Sequence, residues 1–296
     1  MTQFLSLLFN GLSLGTMYAL IALGFVVIFK SSEVVSFMQG SLLLLGAYLI
    51  AVLQDPLGFW GAVLVGVVLT ALAGLIVDRA FFARLRGAPA ITLAILTIGL
   101  DIMLSTELTR RIGSDILNIG HPWGGNVVHL GGVGITANRA IAMAVAAVLI
   151  ALFFAANKYS SWGVAMRASA EDNEAAALMG IRLGRVSATA WMIGGALAAV
   201  AGLFLVGSPT PGITPAVGAV ALRAFPAAIL GGLDSTGGAL VGGLIIGVAE
   251  SFADGYQDQL LFLGRGFGSV VPYIVMIAVL LVRPSGLFGT RELTRV

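Results

Sequence analysis

Apolar stretches long enough to cross a lipid bilayer recur along nearly the whole chain. A membrane-spanning helix needs roughly 20 largely apolar residues, and about eight stretches clearly approach that length. The sequence is 58% hydrophobic and 10% charged, whereas soluble domains carry about 25% charged residues. Its mean hydropathy of +1.02 leaves no room for a large domain outside the membrane. The sequence therefore excludes a soluble globule and predicts an all-α integral membrane protein.

The predicted transmembrane segments are separated by turn residues and by short charged loops. The clear segments cover residues 4–29, 36–53, 59–77, 89–104, 139–156, 186–206, 237–252 and 267–282. Gln54-Asp55-Pro56 is a turn signal between the second segment and the third. One further stretch, 217–233, is short, contains Arg223 and is interrupted by Pro226. Together these segments predict a polytopic helical bundle that occupies the whole chain, 1–296, as a single domain.

The distribution of Lys and Arg predicts the orientation of this bundle, because loops rich in these residues stay on the cytoplasmic side. If 217–233 crosses the bilayer, most of the 16 basic residues are cytoplasmic. This arrangement has about eight to nine transmembrane segments, with the N-terminus outside and the C-terminus in the cytoplasm. A re-entrant 217–233 would move the C-terminal arginines outside, which the charge distribution disfavours. The loop 105–138 then faces outward, where it can form a hairpin or a cap, and the loop 158–185 lies in the cytoplasm.

The cytoplasmic loop differs in composition from everything around it. Residues 167–181 read Arg-Ala-Ser-Ala-Glu-Asp-Asn-Glu-Ala-Ala-Ala-Leu-Met-Gly-Ile. We predict one short amphipathic helix, with Ser169 capping its N-terminus and Gly180 ending it. The acidic residues in its first turns are favoured by the helix dipole. Helical spacing places Ala175, Leu178 and Met179 on one apolar face, and it places Asp172, Asn173 and Ala176 on the opposite face.

Two functions fit this short helix. It can be a coupling helix that inserts into a groove of a separate ATPase subunit, or an amphipathic connector that lies on the membrane surface. Interfacial helices usually carry Lys and Arg on their polar face. The acidic start of this helix therefore favours contact with a protein. The residues predicted to form the coupling surface are Glu171, Asp172, Glu174, Ala175, Ala176, Leu178 and Gly180.

Several stretches resemble a known family of membrane transporters. Glu174-Ala175-Ala176 followed by Gly180 resembles the EAA loop of ABC importer permeases, and its setting, 167–181, is similar to the branched-chain amino-acid type. Four further stretches resemble the LivH-type subunit of that family. They are Gly11-Leu-Ser-Leu-Gly15-Thr-Met-Tyr18-Ala-Leu-Ile-Ala-Leu-Gly24, Leu85-Arg86-Gly87-Ala-Pro89-Ala, Ala228-Ile-Leu-Gly231-Gly232 and Val282-Arg283-Pro284-Ser285-Gly286-Leu287-Phe288-Gly289. The similarity thus extends over most of the chain.

The resemblance implies a transmembrane permease domain in the plasma membrane of a prokaryote. It implies import of a small polar solute, foremost a branched-chain amino acid or a related amino acid or amide. It also implies four kinds of partner: a second, LivM-like permease, two cytosolic ATP-binding subunits, an extracytoplasmic solute-binding protein and membrane lipid. The chain lacks a Gly-x-x-x-x-Gly-Lys-Ser/Thr loop. We therefore expect no catalytic residue and no cofactor in this chain, with ATP and Mg bound by the partner ATPase subunits.

One stretch departs from the family pattern. Family members commonly show an Asn-Phe-Ala-His-Gly-Glu-like sequence at the start of the second helix, whereas residues 36–41 here read Ser-Phe-Met-Gln-Gly-Ser. Both the imidazole and the carboxylate are missing. If those groups shape the translocation route, the neutral Gln39 and Ser41 leave the identity of the solute open.

Polar side chains inside the predicted segments are candidates for the translocation pathway, because burying them in lipid is costly. The candidates are Gln39, Ser41, Thr97, Asp101 and Arg223. Two alternatives stay open: Arg223 and Glu250 can form a structural ion pair, and Gln39 and Thr97 can bond between helices. The glycines predicted to let helices approach closely are Gly238, Gly242, Gly243 and Gly247.

Other classes of function lack the residues that they need. The chain has no cysteine, which excludes disulfides and thiolate metal sites. His121 and His129 lie in the outer loop without a third ligand, so we predict no metal site. The basic residues lie in a few loops and indicate no nucleic-acid binding. A secondary transporter, which would show inverted repeats and midplane ion sites, and an intramembrane enzyme remain as less favoured alternatives.

Overall fold

The structure is a computed structural model, which describes residues 2–85, 87–113, 117–120, 122–123, 126–130, 133–206, 212–214, 216–259 and 266–290. His121, Arg291 and Arg295 lie outside these described residues. Regular structure in the described part is almost entirely helical, as the sequence predicts, and the strands are confined to one short hairpin.

Ten α-helices and two strands are described. The helices are α1 (Thr2–Ser32), α2 (Gln39–Val77), α3 (Ala90–Ile112), α4 (Ala137–Tyr159), α5 (Ser161–Glu171), α6 (Asn173–Leu178), α7 (Leu183–Val206), α8 (Ala216–Gly231), α9 (Thr236–Gly255) and α10 (Val271–Val282). A π-helical turn, Asp78–Phe82, continues α2, and a 3-10 turn, Phe267–Ser269, precedes α10. The strands are β1 (Val127–Leu130) and β2 (Val133–Thr136), which pair antiparallel.

Six helical stretches of the described residues are long and apolar enough to cross a membrane. They are Gln3–Ser32, Gln39–Phe82, Ala90–Ile112, Ala137–Tyr159, Leu183–Val206 and Thr236–Gly255. The stretches Ala216–Gly231 and Phe267–Val282 are also apolar but shorter. The chain is therefore a multi-pass membrane protein.

The longest helix, α2, folds back on itself. Its hydrogen bonding continues past Pro56, but Gly58 adopts φ 68° and ψ 169°, which reverses the chain. A Cβ added to Gly66 would lie 2.6 Å from Cγ1 of Ile50. Residues 16 positions apart touch only if the two arms run antiparallel, since a straight helix would separate them by about 24 Å. The arms correspond to the predicted segments 36–53 and 59–77, and the reversal follows the predicted turn by two residues.

The helix α3 is longer than the sequence predicts. The predicted segment ends at residue 104, whereas α3 continues to Ile112. Glu107 forms ion pairs with Arg110 at 2.9 Å and with Arg111 at 2.6 Å, so the last turns are a charged helix stabilised by pairs three and four residues apart. The connection from α3 to α4 is correspondingly shorter than the predicted outer loop, 105–138. It contains the β1–β2 hairpin, in which Val127 lies opposite Thr136.

The helix α1 lies at the centre of the bundle. It packs against α4, α7, α8 and α9, and Leu20, Ile21 and Val26 are fully buried. This burial fits a helix that is apolar on all sides. Large apolar side chains on α2, α3 and α4, such as Leu64, Ile91 and Leu152, remain exposed on the outside of the bundle.

Glycines bring α9 close to two neighbours on two different faces. On one face, Gly243 and Gly247 lie against Ala19 and Gly15 of α1. A Cβ on Gly243 would come within 2.6 Å of the Ala19 Cα, so only a glycine fits this approach. On the other face, Gly238 and Gly242 lie against Gly231 and Ala227 of α8. Such close contacts between small residues are how membrane helices pack without a hydrophobic driving force.

Candidate functional site

The segment 167–181, which the sequence predicts as one helix, lies in two helices that meet at Asp172. The helix α5 ends at Glu171, and Asp172 is extended, with φ −156° and ψ 108°. The Asp172 Oδ1 accepts a hydrogen bond from the Ala175 amide at 2.9 Å and so caps α6. The predicted cap, Ser169, is wrong: it is buried within α5, and its hydroxyl donates to the Met166 carbonyl. Ser160 caps α5 instead.

Gly180 ends α6, as the sequence predicts. Its φ is 85°, a left-handed conformation that glycine adopts without steric cost. The Gly180 amide donates to the Ala177 carbonyl, and the Ile181 amide donates to the Ala176 carbonyl, each at 3.0 Å. This pair of bonds is a Schellman motif. It fixes the direction in which the chain leaves α6 towards α7.

The helix α6 presents an exposed apolar face. Leu178 is 88% exposed and Met179 is 84% exposed, and Ala175 beside them is exposed as well. Ala176, on the opposite face, is buried. The acidic residues Glu171, Asp172 and Glu174 are also exposed. The segment therefore offers a small apolar surface beside acidic side chains. This surface lies on a short helix that is not one of the six long apolar helices.

A hydrogen bond ties α6 to the end of α1. The Asn173 Nδ2 donates to the Glu33 Oε1 at 2.7 Å. Among the described non-glycine residues, Glu33 is the one with a positive φ, 54°. It starts the connection from α1 to α2. A cavity of about 360 Å³ lies beside this contact and is also lined by Asp78 and Ser187. The bond therefore links α6 directly to the α1–α2 connection.

Two candidate pathway residues on α3 cap the start of α2. The Phe37 amide donates to the Thr97 Oγ1, and the Ser41 amide donates to the Asp101 Oδ1, each at 3.0 Å. The first amides of a helix have no partner within it, and the residue before α2, Met38, supplies no side-chain cap. The negative Asp101 also interacts favourably with the positive end of the helix dipole.

Gln39 and Ser41 contact protein in this structure. Gln39 is fully buried between α1 and α7, where its Nε2 donates to the Gly194 carbonyl at 3.1 Å. The Ser41 hydroxyl donates to the Met38 carbonyl of its own turn. The structure thus brings Ser41, Thr97 and Asp101 together at the α2–α3 contact, and Gln39 lies two residues before Ser41 in α2. Bonding between helices is the alternative that the sequence leaves open for Gln39 and Thr97.

Arg223 lies in a different place, near the middle of α8. Its Nη1 pairs with the Glu250 Oε1 at 2.9 Å, and the Tyr18 hydroxyl donates to the Glu250 Oε2 at 2.6 Å. Glu250 is buried, whereas the Arg223 side chain is 40% exposed. The ion pair between α8 and α9 that the sequence leaves open is therefore present, and Arg223 also lines a cavity of about 560 Å³.

Comparison with known proteins identifies the family. The family model described as branched-chain amino acid transport system / permease component matches residues 7–280. The chain belongs to this family. The chain is 34% identical over 312 residues to the high-affinity branched-chain amino acid transport system permease protein LivH of Escherichia coli (strain K12), covering 99% of this chain and 98% of that protein.

Two further relatives of the permease family come from distant organisms. The permease protein BraD of Pseudomonas aeruginosa is 33% identical over 313 residues, covering 99% of this chain and 98% of BraD. A probable LivH of Methanocaldococcus jannaschii is 32% identical over 289 residues, covering 91% and 88%. No solved structure matches the chain. The predicted resemblance is confirmed, and as a member of a permease family the chain is a transporter subunit rather than an enzyme.

Sequence reasoning missed several of the residues that hold these sites. Tyr18 carries no signal, because a tyrosine in an apolar helix is ordinary, yet it fixes Glu250 from a position 232 residues away. Glu33 gives no signal either, since one acidic residue at a helix end is common. The bond between Arg139 and Asn10 joins two predicted segments. The one sequence feature that points to this bond is a polar residue, Asn10, within an apolar stretch.

The capping arrangement gives a testable prediction. We expect Asp101→Ala to reduce the free energy of unfolding by about 1 kcal/mol, because the Ser41 amide loses its partner. Thermal unfolding of the purified permease in detergent measures this change. Ser105→Ala is the matched control, since the Ser105 hydroxyl bonds only to its own helix. Lost uptake with unchanged thermal stability would instead place Asp101 in the solute pathway.

Proposed function

We propose that this chain is the LivH-type membrane-spanning subunit of an ABC importer in the plasma membrane of a prokaryote. It carries branched-chain amino acids, or a related amino acid or amide, into the cytoplasm. Its partners are a second, LivM-like permease, two cytosolic ATP-binding subunits that hold ATP and Mg, and an extracytoplasmic solute-binding protein. The observation that carries the proposal is the exposed apolar and acidic surface of α6, in a chain of this permease family.

The whole chain, 1–296, forms one permease domain with about nine crossings. The two arms of α2 cross separately, and the shorter α8 and α10 cross as well. The N-terminus is outside and the C-terminus is cytoplasmic. Support comes from the α6 end of the bundle, where Lys30 at the end of α1 and Arg79 beside Asp78 lie on the same side as Asn173. Positive charge at this end favours the cytoplasm.

In this orientation α6 docks into a groove of an ATP-binding subunit. Leu178, Met179 and Ala175 become buried there, while Glu171, Asp172 and Glu174 meet polar groups at the rim. Ala176 and the Asn173–Glu33 bond hold α6 to the rest of the permease. Movement of the ATP-binding subunits is thereby passed to the α1–α2 connection, and from there to the α2–α3 contact at Thr97 and Asp101.

The departure at 36–41 does not require a different solute class. The position where the family commonly has histidine holds Gln39, which lies between Gly24 and Gly194 and touches protein. The Gln39 Nε2 donates to a backbone carbonyl, whereas its Oε1 is buried with no hydrogen-bond partner in the described part of the chain. Gln39 therefore stays a candidate for the translocation pathway.

Reconstitution tests the proposed function. The two permeases and the ATP-binding subunits are placed in vesicles with ATP on the cytoplasmic side, and the solute-binding protein is added outside. We expect uptake of radiolabelled L-leucine that stops when ATP is omitted or when the ATP-binding subunits are left out. Uptake by this chain alone, driven by a sodium or proton gradient, would favour the secondary-transporter alternative and contradict the proposal.

A further inference from the structure

One cavity in the described part of the chain lies between five helices of the permease. It has a volume of about 560 Å³ and is lined by the N-terminal half of α1, the start of α4, the end of α7, the start of α8 and the end of α9. Resting on the proposed function, we infer that this cavity is a transit site that binds the solute as a zwitterion. Arg223 binds its carboxylate and Asp254 binds its ammonium group.

The position of the cavity suits a solute that arrives from outside. Asn10 of α1 lines the cavity, and Glu33 at the other end of α1 contacts α6. These residues are separated by about 35 Å along the helix axis, since a helix rises 1.5 Å per residue. If α6 faces the cytoplasm, the cavity lies at the outer end of the bundle. A solute released by an extracytoplasmic binding protein reaches this end first.

Glu250 holds the Arg223 guanidinium in place, and the guanidinium can still donate hydrogen bonds to a solute. Its bond to Glu250 uses one of five N–H donors, and its side chain is 40% exposed. Glu250 accepts from Tyr18 with one oxygen and from Arg223 with the other, so it positions the guanidinium. A guanidinium held in this way matches the planar carboxylate of an amino acid.

Asp254 supplies the opposite charge. It lies one helical turn after Glu250 on α9, on the same side of the helix, and lines the same cavity with its carboxylate exposed. The charged groups of the wall, Arg139, Arg223, Glu250 and Asp254, balance each other. A zwitterion keeps this balance, whereas a net cation or anion would add an uncompensated charge.

The remaining wall suits an aliphatic side chain. Leu14, Met17, Val217 and Val220 line the cavity opposite the ends of α4 and α9. A volume of about 560 Å³ falls in the range of pockets that hold small molecules, roughly 300–1,000 Å³. The cavity therefore has room for one branched-chain amino acid together with several water molecules.

Cysteine protection tests this inference directly, because the chain has no cysteine of its own. Val220→Cys places a single thiol in the cavity wall, and Ala142→Cys provides a second position if the first variant is not assembled. The assembled transporter is treated with a small thiol reagent with and without L-leucine. We expect leucine to slow labelling at least fivefold. Leucinamide, without a carboxylate, and 4-methylpentanoate, without an ammonium group, should leave the rate unchanged.

A second experiment replaces the proposed ammonium ligand, Asp254. In the Val220→Cys background, Asp254→Asn should raise the leucine concentration needed for half-protection about tenfold, because a hydrogen bond to a charged partner is lost. Asp258→Asn is the matched control, since Asp258 is exposed near the same end of α9 and does not line the cavity. Without leucine, the two variants should be labelled at the same rate. A general distortion of the fold in one variant would change its rate.

The outcomes separate the inference from the proposed function. ATP-driven leucine uptake without protection of either cavity cysteine would overturn the transit site and leave the importer assignment standing. Equal protection by leucine, leucinamide and 4-methylpentanoate would overturn the roles of Arg223 and Asp254. Absence of any leucine uptake by the unmodified transporter would overturn the proposed transport of branched-chain amino acids, and the leucine transit site with it.

Discussion

Replacing Leu178 and Met179 together with serine should release the ATP-binding subunits from the permease. Each side chain is more than four-fifths exposed in the isolated chain. Full burial of such a side chain on docking stabilises a complex by about 1.5–3 kcal/mol. Loss of both should therefore weaken binding about 100-fold or more. Co-purification of the ATP-binding subunits with the tagged permease measures the effect.

The fold of the permease itself should not change in this double variant. Neither side chain contributes to the buried core, so the thermal unfolding midpoint should stay within about one degree of the unmodified protein. The matched control is Leu281→Ser with Val282→Ser, an adjacent apolar pair that is also 81% exposed at each position. Retention of the ATP-binding subunits by the α6 variant, or their equal loss from the control, would contradict a docking role for α6.

Alanine at Gly243 or Gly247 should destabilise the bundle severely. The added methyl group at either position would collide with the backbone of α1, next to Ala19 or Gly15. A collision with backbone cannot be relieved by a change of rotamer, so we expect a loss of about 3 kcal/mol or more, at the upper end of the cost of overpacking. Thermal unfolding in detergent and the yield of assembled permease measure it.

Gly237 provides the matched control for these glycines on the same helix. A Cβ built there meets no atom within 4 Å, so Gly237→Ala should be neutral or slightly stabilising, because alanine is the better helix former. Comparable loss of stability in Gly237→Ala would show that α9 requires glycine for a reason other than its approach to α1.

The sequence predicts what depends on composition over many residues. Apolar length identifies the membrane helices, and Gln54-Asp55-Pro56 locates the reversal within α2, because proline and a nearby glycine act on the backbone locally. The end of α6 at Gly180 is predictable for the same reason. Each of these features depends on neighbouring residues alone, so it can be predicted without knowing which distant residues are in contact.

Features that depend on competition between equivalent residues, or on distant partners, are not predictable in this way. Ser169 and Asp172 are both good caps, and only the packing of α5 buries Ser169 and leaves Asp172 free to cap α6. The extension of α3 past residue 104 relies on side-chain ion pairs rather than on apolar length. The role of Asp101 at the start of α2 appears only when two helices 60 residues apart meet.

Two polar sites lie along α1. The Glu33–Asn173 contact lies at one end, and the Tyr18–Glu250–Arg223 cluster lies near the middle of the helix. Most of α1 is buried, and it packs on α9 through glycines. In the proposed importer, a push on α6 would reach the cavity through these packed residues.

The sidedness of α6 tests the central claim most directly. Leu178→Cys and Asp258→Cys each give this cysteine-free chain one exposed thiol. A membrane-impermeant maleimide can label these thiols in sealed right-side-out and inside-out vesicles that contain the permease without the ATP-binding subunits. The importer assignment predicts that Leu178→Cys reacts only in inside-out vesicles and Asp258→Cys only in right-side-out vesicles. Labelling of Leu178→Cys from the outside would contradict it, because no cytosolic ATPase could then reach α6.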